Sequence, residues 1–187
     1  MTMRSHVMTF WLTLFAYEAV WFCTVTAAGS GMAWLGVLAA TLFVSWRLLE
    51  SQQRWLECQL LAVALLLGAG MESVWIRNGW VSYASTSPML PVPVWILGLW
   101  ACFALTVLPL FGYLRGRPWL GVIVGGVGGP LAYAAAEHGW HAVWVTAPVW
   151  RGWCAIAVGW SVALPLLVAL GHRSGAVTAS PGQGDIL

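Results

Sequence analysis

E-C-Q-L-L-A-V-A-L-L-L-G-A-G-M-E-S-V-W-I, residues 57–76, carries two glutamates and no other charged side chain. Twenty helical residues rise about 30 Å, the thickness of a bilayer's hydrocarbon core. The rest of the chain has the same character. Of 187 residues, 60% are hydrophobic and 7% charged, where soluble domains carry about 25% charged. Too few polar groups exist to keep such a surface in water, so most of the outside faces lipid.

Working outward from this stretch, six apolar segments follow one another, at about 7–28, 32–49, 57–76, 94–113, 119–137 and 151–171. The breaks between them hold turn chemistry: Gly29-Ser30-Gly31, Glu50-Ser51-Gln52-Gln53-Arg54 and Arg115-Gly116-Arg117-Pro118. Two longer, aromatic-rich connections run over 77–93 and 138–150. The first segment is longer than a signal-peptide core and has Glu18 at its centre, which predicts a retained helix. The fold expected is all-α, a polytopic bundle of about six transmembrane helices in one domain, residues 1–173. The polar stretch 174–187 is expected to be a disordered cytoplasmic tail. With six helices, Arg4, Arg47, Arg54, Arg115, Arg117 and Arg173 fall on one side, and only Arg77 and Arg151 on the other. The positive-inside rule then places both termini in the cytoplasm.

The commonest unusual residues read first as structure. Several of the fifteen tryptophans, among them Trp55, Trp80, Trp95, Trp119, Trp150 and Trp153, sit at segment ends, as in an interfacial aromatic belt. Trp21 and Trp100 fall inside spans and read as packing. Gly121, Gly125, Gly126, Gly128 and Gly129 crowd the fifth segment, where small residues let helices approach closely, and Pro130 should kink it. The alternative is that this kink opens a cavity for a lipid chain. The four cysteines lie in four different segments and read as small apolar fillers.

Chemistry is sought where charge is costly, because an ionisable group inside a membrane marks a functional site by default. Three of the five glutamates share one spacing: Glu18 with Trp21, Glu72 with Trp75 and Glu137 with Trp140. Positions i and i+3 share a helix face, so each indole would shield a flank of its carboxyl, the setting in which a carboxyl serves as donor or general acid. The structural alternative is that each glutamate satisfies an arginine or a broken backbone. Glu72, Glu137 and His138 are the catalytic candidates; Glu18, Asn78, Tyr83, Trp75 and Trp140 are the substrate-binding ones. All but Glu18 should collect at the outer end, and Glu18 could join from below. Glu137-His138-Gly139-Trp140-His141 resembles a metal spacing only loosely: the histidines are three apart, and Gly139 is expected to end the helix between them. No metal and no cofactor are expected, because haem-type, nucleotide-type and Ser-His-Asp patterns are all missing. There is no basic stripe for nucleic acid.

Two blocks carry a resemblance. One is Gly68-Ala69-Gly70-Met71-Glu72 followed by Asn78-Gly79-Trp80; the other is P-V-P-V-W-I-L-G-L-W-A-C-F-A (91–104) with Gly128-Gly129-Pro130-Leu131-Ala132-Tyr133. Together they resemble DUF2878, a family of bacterial integral membrane proteins, over about 55–170, while the first two helices match only in kind. The family more often carries aspartate where Glu72 stands. The resemblance implies a fold and a bacterial inner-membrane location. It implies no activity. Members of that family are often encoded beside fatty-acid-modifying enzymes of the cyclopropane-synthase type, so the resemblance implies a link to membrane lipid modification or stress response. The leading expectation is therefore a protein that binds or modifies an acyl or isoprenoid chain at an outer-leaflet polar site, with membrane lipids as partners. A non-catalytic accessory subunit of a larger membrane complex is the alternative, and a small transporter the second.

Overall fold

The computed structural model describes residues 3–86 and 90–173, so the expected tail at 174–187 lies outside the described residues. The six apolar segments become α1 (Met3–Gly29), α2 (Ala33–Glu50), α3 (Arg54–Arg77), α4 (Val94–Leu110), α5 (Pro118–Trp140) and α6 (Val149–Arg173). Five are long and apolar enough to cross a membrane. The sixth, α4, has 17 residues and is the most enclosed: Trp95, Ile96, Leu99, Trp100, Cys102, Ala104 and Leu105 are all buried. It packs against α1, α2, α3 and α6. The lipid-facing shell is made by the other helices, whose exposed residues include Trp11, Phe15, Leu42, Leu66, Leu131 and Val158.

The fourth helix ends earlier than the expected 113. Pro109 offers no backbone N–H to the preceding turn, and a 3-10 turn at Gly112–Leu114 leads into α5. The fifth helix instead runs past Gly139 to Trp140. Its end is made by His141, which takes a left-handed φ of 52°, with the His141 N–H bonded to the Glu137 carbonyl (3.2 Å) and the Ala142 N–H to that of Ala136 (3.0 Å). The expectation that Gly139 ends this helix is therefore corrected.

Neighbouring helices are tied in two ways. Small residues let α5 meet α6: a methyl group on Gly125 would lie 2.1 Å from the Trp160 carbonyl oxygen, and one on Gly129 2.4 Å from the Trp160 ring. Across the α2–α3 turn, Arg47 donates to Glu57 at 3.1 Å, and both are buried.

The two long connections are not plain loops. Strand β1 (Val81–Tyr83) pairs antiparallel with β2 (Val143–Val145), with Val81 opposite Val145 and Tyr83 opposite Val143. Val81, Tyr83, Val143 and Val145 turn inward, while Ser82 and Trp144 point away. This small sheet caps one end of the bundle, and it adds to the all-α expectation a piece that three-residue strands made invisible in the sequence. The opposite end holds the α2–α3 and α4–α5 turns.

Candidate functional site

Glu72 lies one turn before the end of α3 and is fully buried. Among the described residues no cation pairs with it, and three hydrogen-bond donors do its solvation. Trp100 of α4 donates its indole N–H to Oε1 at 3.1 Å. The Tyr133 hydroxyl of α5 donates to the same oxygen, and the Tyr83 hydroxyl of β1 donates to Oε2. A carboxyl in an apolar interior is tolerable only when its lone pairs are filled in this way. Burial, and next the Glu72 carboxyl beside it, push the Tyr83 phenol well above the ordinary tyrosine range, so it stays protonated and able to donate.

Each donor is held by a second contact. Tyr133 meets the edge of Trp75, with ring centroids 5.9 Å apart; Tyr83 meets Trp95 at 5.8 Å, and Trp95 donates to the Ala84 carbonyl at 3.1 Å. Trp100 stacks on Trp160 at 4.5 Å, nearly parallel. Room for Trp100 is made by Gly68, one helical turn before Glu72. A methyl group there would lie 2.5 Å from the Trp100 ring. The G-x-x-x-E spacing is thus a floor for an indole followed by the acceptor that the indole reaches.

The other side of this aromatic wall is a cavity of about 300 Å³. It is lined from α1 by Tyr17, Glu18 and Trp21, from α4 by Leu99, Trp100 and Phe103, and from α6 by Trp160. Its α5 wall runs from Val124 to Ala136 and includes Gly128, Gly129 and Tyr133. Twelve helical steps make that wall about 18 Å tall, more than half the hydrocarbon thickness. Gly128 faces open space, with nothing within 4 Å of where a side chain would begin. Gly125 and Gly129 of the α5 run thus admit α6, while Gly128 lines the cavity with nothing against it. Trp100 and Tyr133 face the cavity and bond Glu72 behind it. The carboxyl is reached through them.

The eight candidate residues do not form one cluster. Glu72 and Tyr83 bond directly, and Trp75 joins them through Tyr133. Glu18 lies across the cavity on α1, exposed, with no hydrogen-bond or ion-pair partner among the described residues. Glu137 accepts from the Val145 backbone N–H at 2.8 Å and so ties α5 to β2. Its neighbour His138 is 78% exposed, 3.9 Å from it. Asn78 donates to the Val74 carbonyl at 2.7 Å and finishes α3. Trp140 packs on Trp21 and Phe22 at the sheet end. Among the described residues, no three His, Cys, Asp or Glu side chains gather as a metal site would require.

Tyr133 and Trp100 were not among the candidates. One signal could have found Tyr133. The chain has only four tyrosines, and one lying among Gly and Ala in a membrane span must find a partner for its hydroxyl. Nothing local marks Trp100 among fifteen tryptophans.

A helical bundle with an internal carboxyl and an apolar chamber defines a multi-pass membrane protein. Residues 10–166 match the family described as protein of unknown function (DUF2878), and the chain belongs to that family. The match begins inside α1, so it takes in the first two helices as well as the motif-bearing ones. No curated protein and no solved structure matches the chain.

Proposed function

We propose that this protein binds a membrane-derived apolar chain, acyl or isoprenoid, in the cavity between α1, α4, α5 and α6. The observation that supports the reading most is the cavity itself: about 300 Å³, walled mainly by aromatic rings, glycine and aliphatic side chains, and elongated along the helices. Small-molecule sites share this make-up, apolar walls with a few convergent polar groups. Here the polar side chains of the lining are Glu18 and Tyr17. Glu72 holds Tyr133 and Trp100 in place from behind. The proposal assigns binding and leaves chemistry on the bound chain to no residue. The arginine distribution favours both termini in the cytoplasm of an inner membrane, so the sheet end would meet the outer leaflet.

The test is lipid extraction and mass spectrometry of the purified full chain, wild type against Gly128→Phe. The substitution puts a ring into open space inside the chamber and spares the α5–α6 contact. Wild type should carry an apolar species that the variant has lost, and cells lacking the protein should show the same species altered in abundance. Identical bound lipid in both proteins would sink the proposal.

A further inference from the structure

A second cleft lies at the opposite end of the bundle from the sheet, between the α4–α5 turn and the last turns of α6. We propose that it holds the phosphodiester headgroup of an anionic phospholipid. Its volume is about 210 Å³. Arg115 and Arg117 stand on its rim and His172 on its α6 side, while the floor is made by Gly121, Pro165 and Val168.

Three features point to an anion. First, both arginines are exposed, and neither pairs with a carboxylate among the described residues. At the same end, Arg47 pairs with Glu57, and Arg54 donates to the Leu49 carbonyl at 3.0 Å. Second, the 23-residue α5 begins at Pro118 beside the cleft with no side-chain cap, so no side chain of its own accepts from its first backbone N–H groups. Third, Gly116 at φ 71° makes the tight turn that sets the two arginines on either side of one residue. Cationic rim over apolar floor matches a lipid, whose phosphate sits at the interface and whose chain lies along the helices. A free phosphate would use the rim and leave the floor uncovered. This site is separate from the cavity beside Glu72 and does not depend on what that cavity holds.

Native mass spectrometry of the full chain, released from nanodiscs of mixed phosphatidylglycerol and phosphatidylcholine, reads the site directly. Wild type should retain phosphatidylglycerol selectively. The pair Arg115→Gln and Arg117→Gln should lower that retention about thirtyfold, the ordinary worth of two basic residues at an anionic surface. Arg151→Gln at the sheet end should leave it unchanged. Equal retention by the double variant, or no preference in the wild type, overturns the proposal. Displacement of the lipid by millimolar inorganic phosphate overturns its lipid half, because the site would then read the bare anion.

Discussion

Replacing Gly68 by alanine tests whether the indole-on-glycine contact positions the buried carboxyl. The new methyl group would lie 2.5 Å from Trp100 Cγ and 2.7 Å from Cδ1 and Cδ2. Ordinary contact begins near 3.5 Å, so the ring must retreat by about 1 Å. It cannot do so freely. These atoms are at the base of a rigid side chain whose face is stacked on Trp160 and whose N–H is 3.1 Å from Glu72. Moving it strains the stack and opens the hydrogen bond. Overpacking costs about 1–3 kcal/mol, and an unmade buried hydrogen bond about 1–3 kcal/mol more. Alanine's better helix propensity returns up to about 1 kcal/mol, leaving a net loss of about 1–5 kcal/mol. Gly70→Ala is the internal control. It lies in the same motif, with nothing within 4 Å of its added methyl, and should be neutral or slightly stabilising. The assay is unfolding in mixed detergent micelles followed by tryptophan emission, which the Trp100–Trp160 stack should report. If Gly68→Ala unfolds at the same point as Gly70→Ala, the indole does not lean on Gly68, and this account of the motif fails.

Three further outcomes follow from the same geometry. Glu72→Gln should fold, because its carbonyl still accepts and a phenol can accept from its amide, whereas Glu72→Leu orphans three donors at about 1–3 kcal/mol each and should fail to give a monodisperse protein by size exclusion. Glu57→Gln leaves Arg47 buried without its counter-charge and should cost about 3–5 kcal/mol, while Arg47→Met with Glu57→Leu together should cost less, measured as a double-mutant cycle. At the sheet end, Glu137→Ala should lose about 1 kcal/mol with the bond to Val145, and His138→Ala should stay within about 0.5 kcal/mol of wild type.

Burial in lipid is a one-dimensional signal, and the sequence alone carried it. Twenty-residue apolar runs separated by Gly, Ser, Gln and Arg turns determined a six-helix membrane bundle, because runs of that length span hydrocarbon as helices that satisfy their own backbone hydrogen bonds, whereas barrel strands need only about 10 residues. The cost of an intramembrane carboxyl marked Glu18, Glu72 and Glu137 alike, and Tyr83 joined the candidates because it had to lie at the same end as Glu72. The shared E-x-x-W spacing promised more than it held. Spacing along one helix fixes a face, but each glutamate found a different neighbour there: three aromatic donors for Glu72, a strand N–H for Glu137 and the cavity for Glu18. Those neighbours arrive from other helices and from β1 and β2, at separations of up to 61 residues. Only the tertiary structure could decide which of fifteen tryptophans reaches the carboxyl, and which glycine of the α5 run faces a void and not a helix. Both depend on how α4, α5 and α6 rotate against α3, and that rotation is set by packing between surfaces that are equally apolar all round.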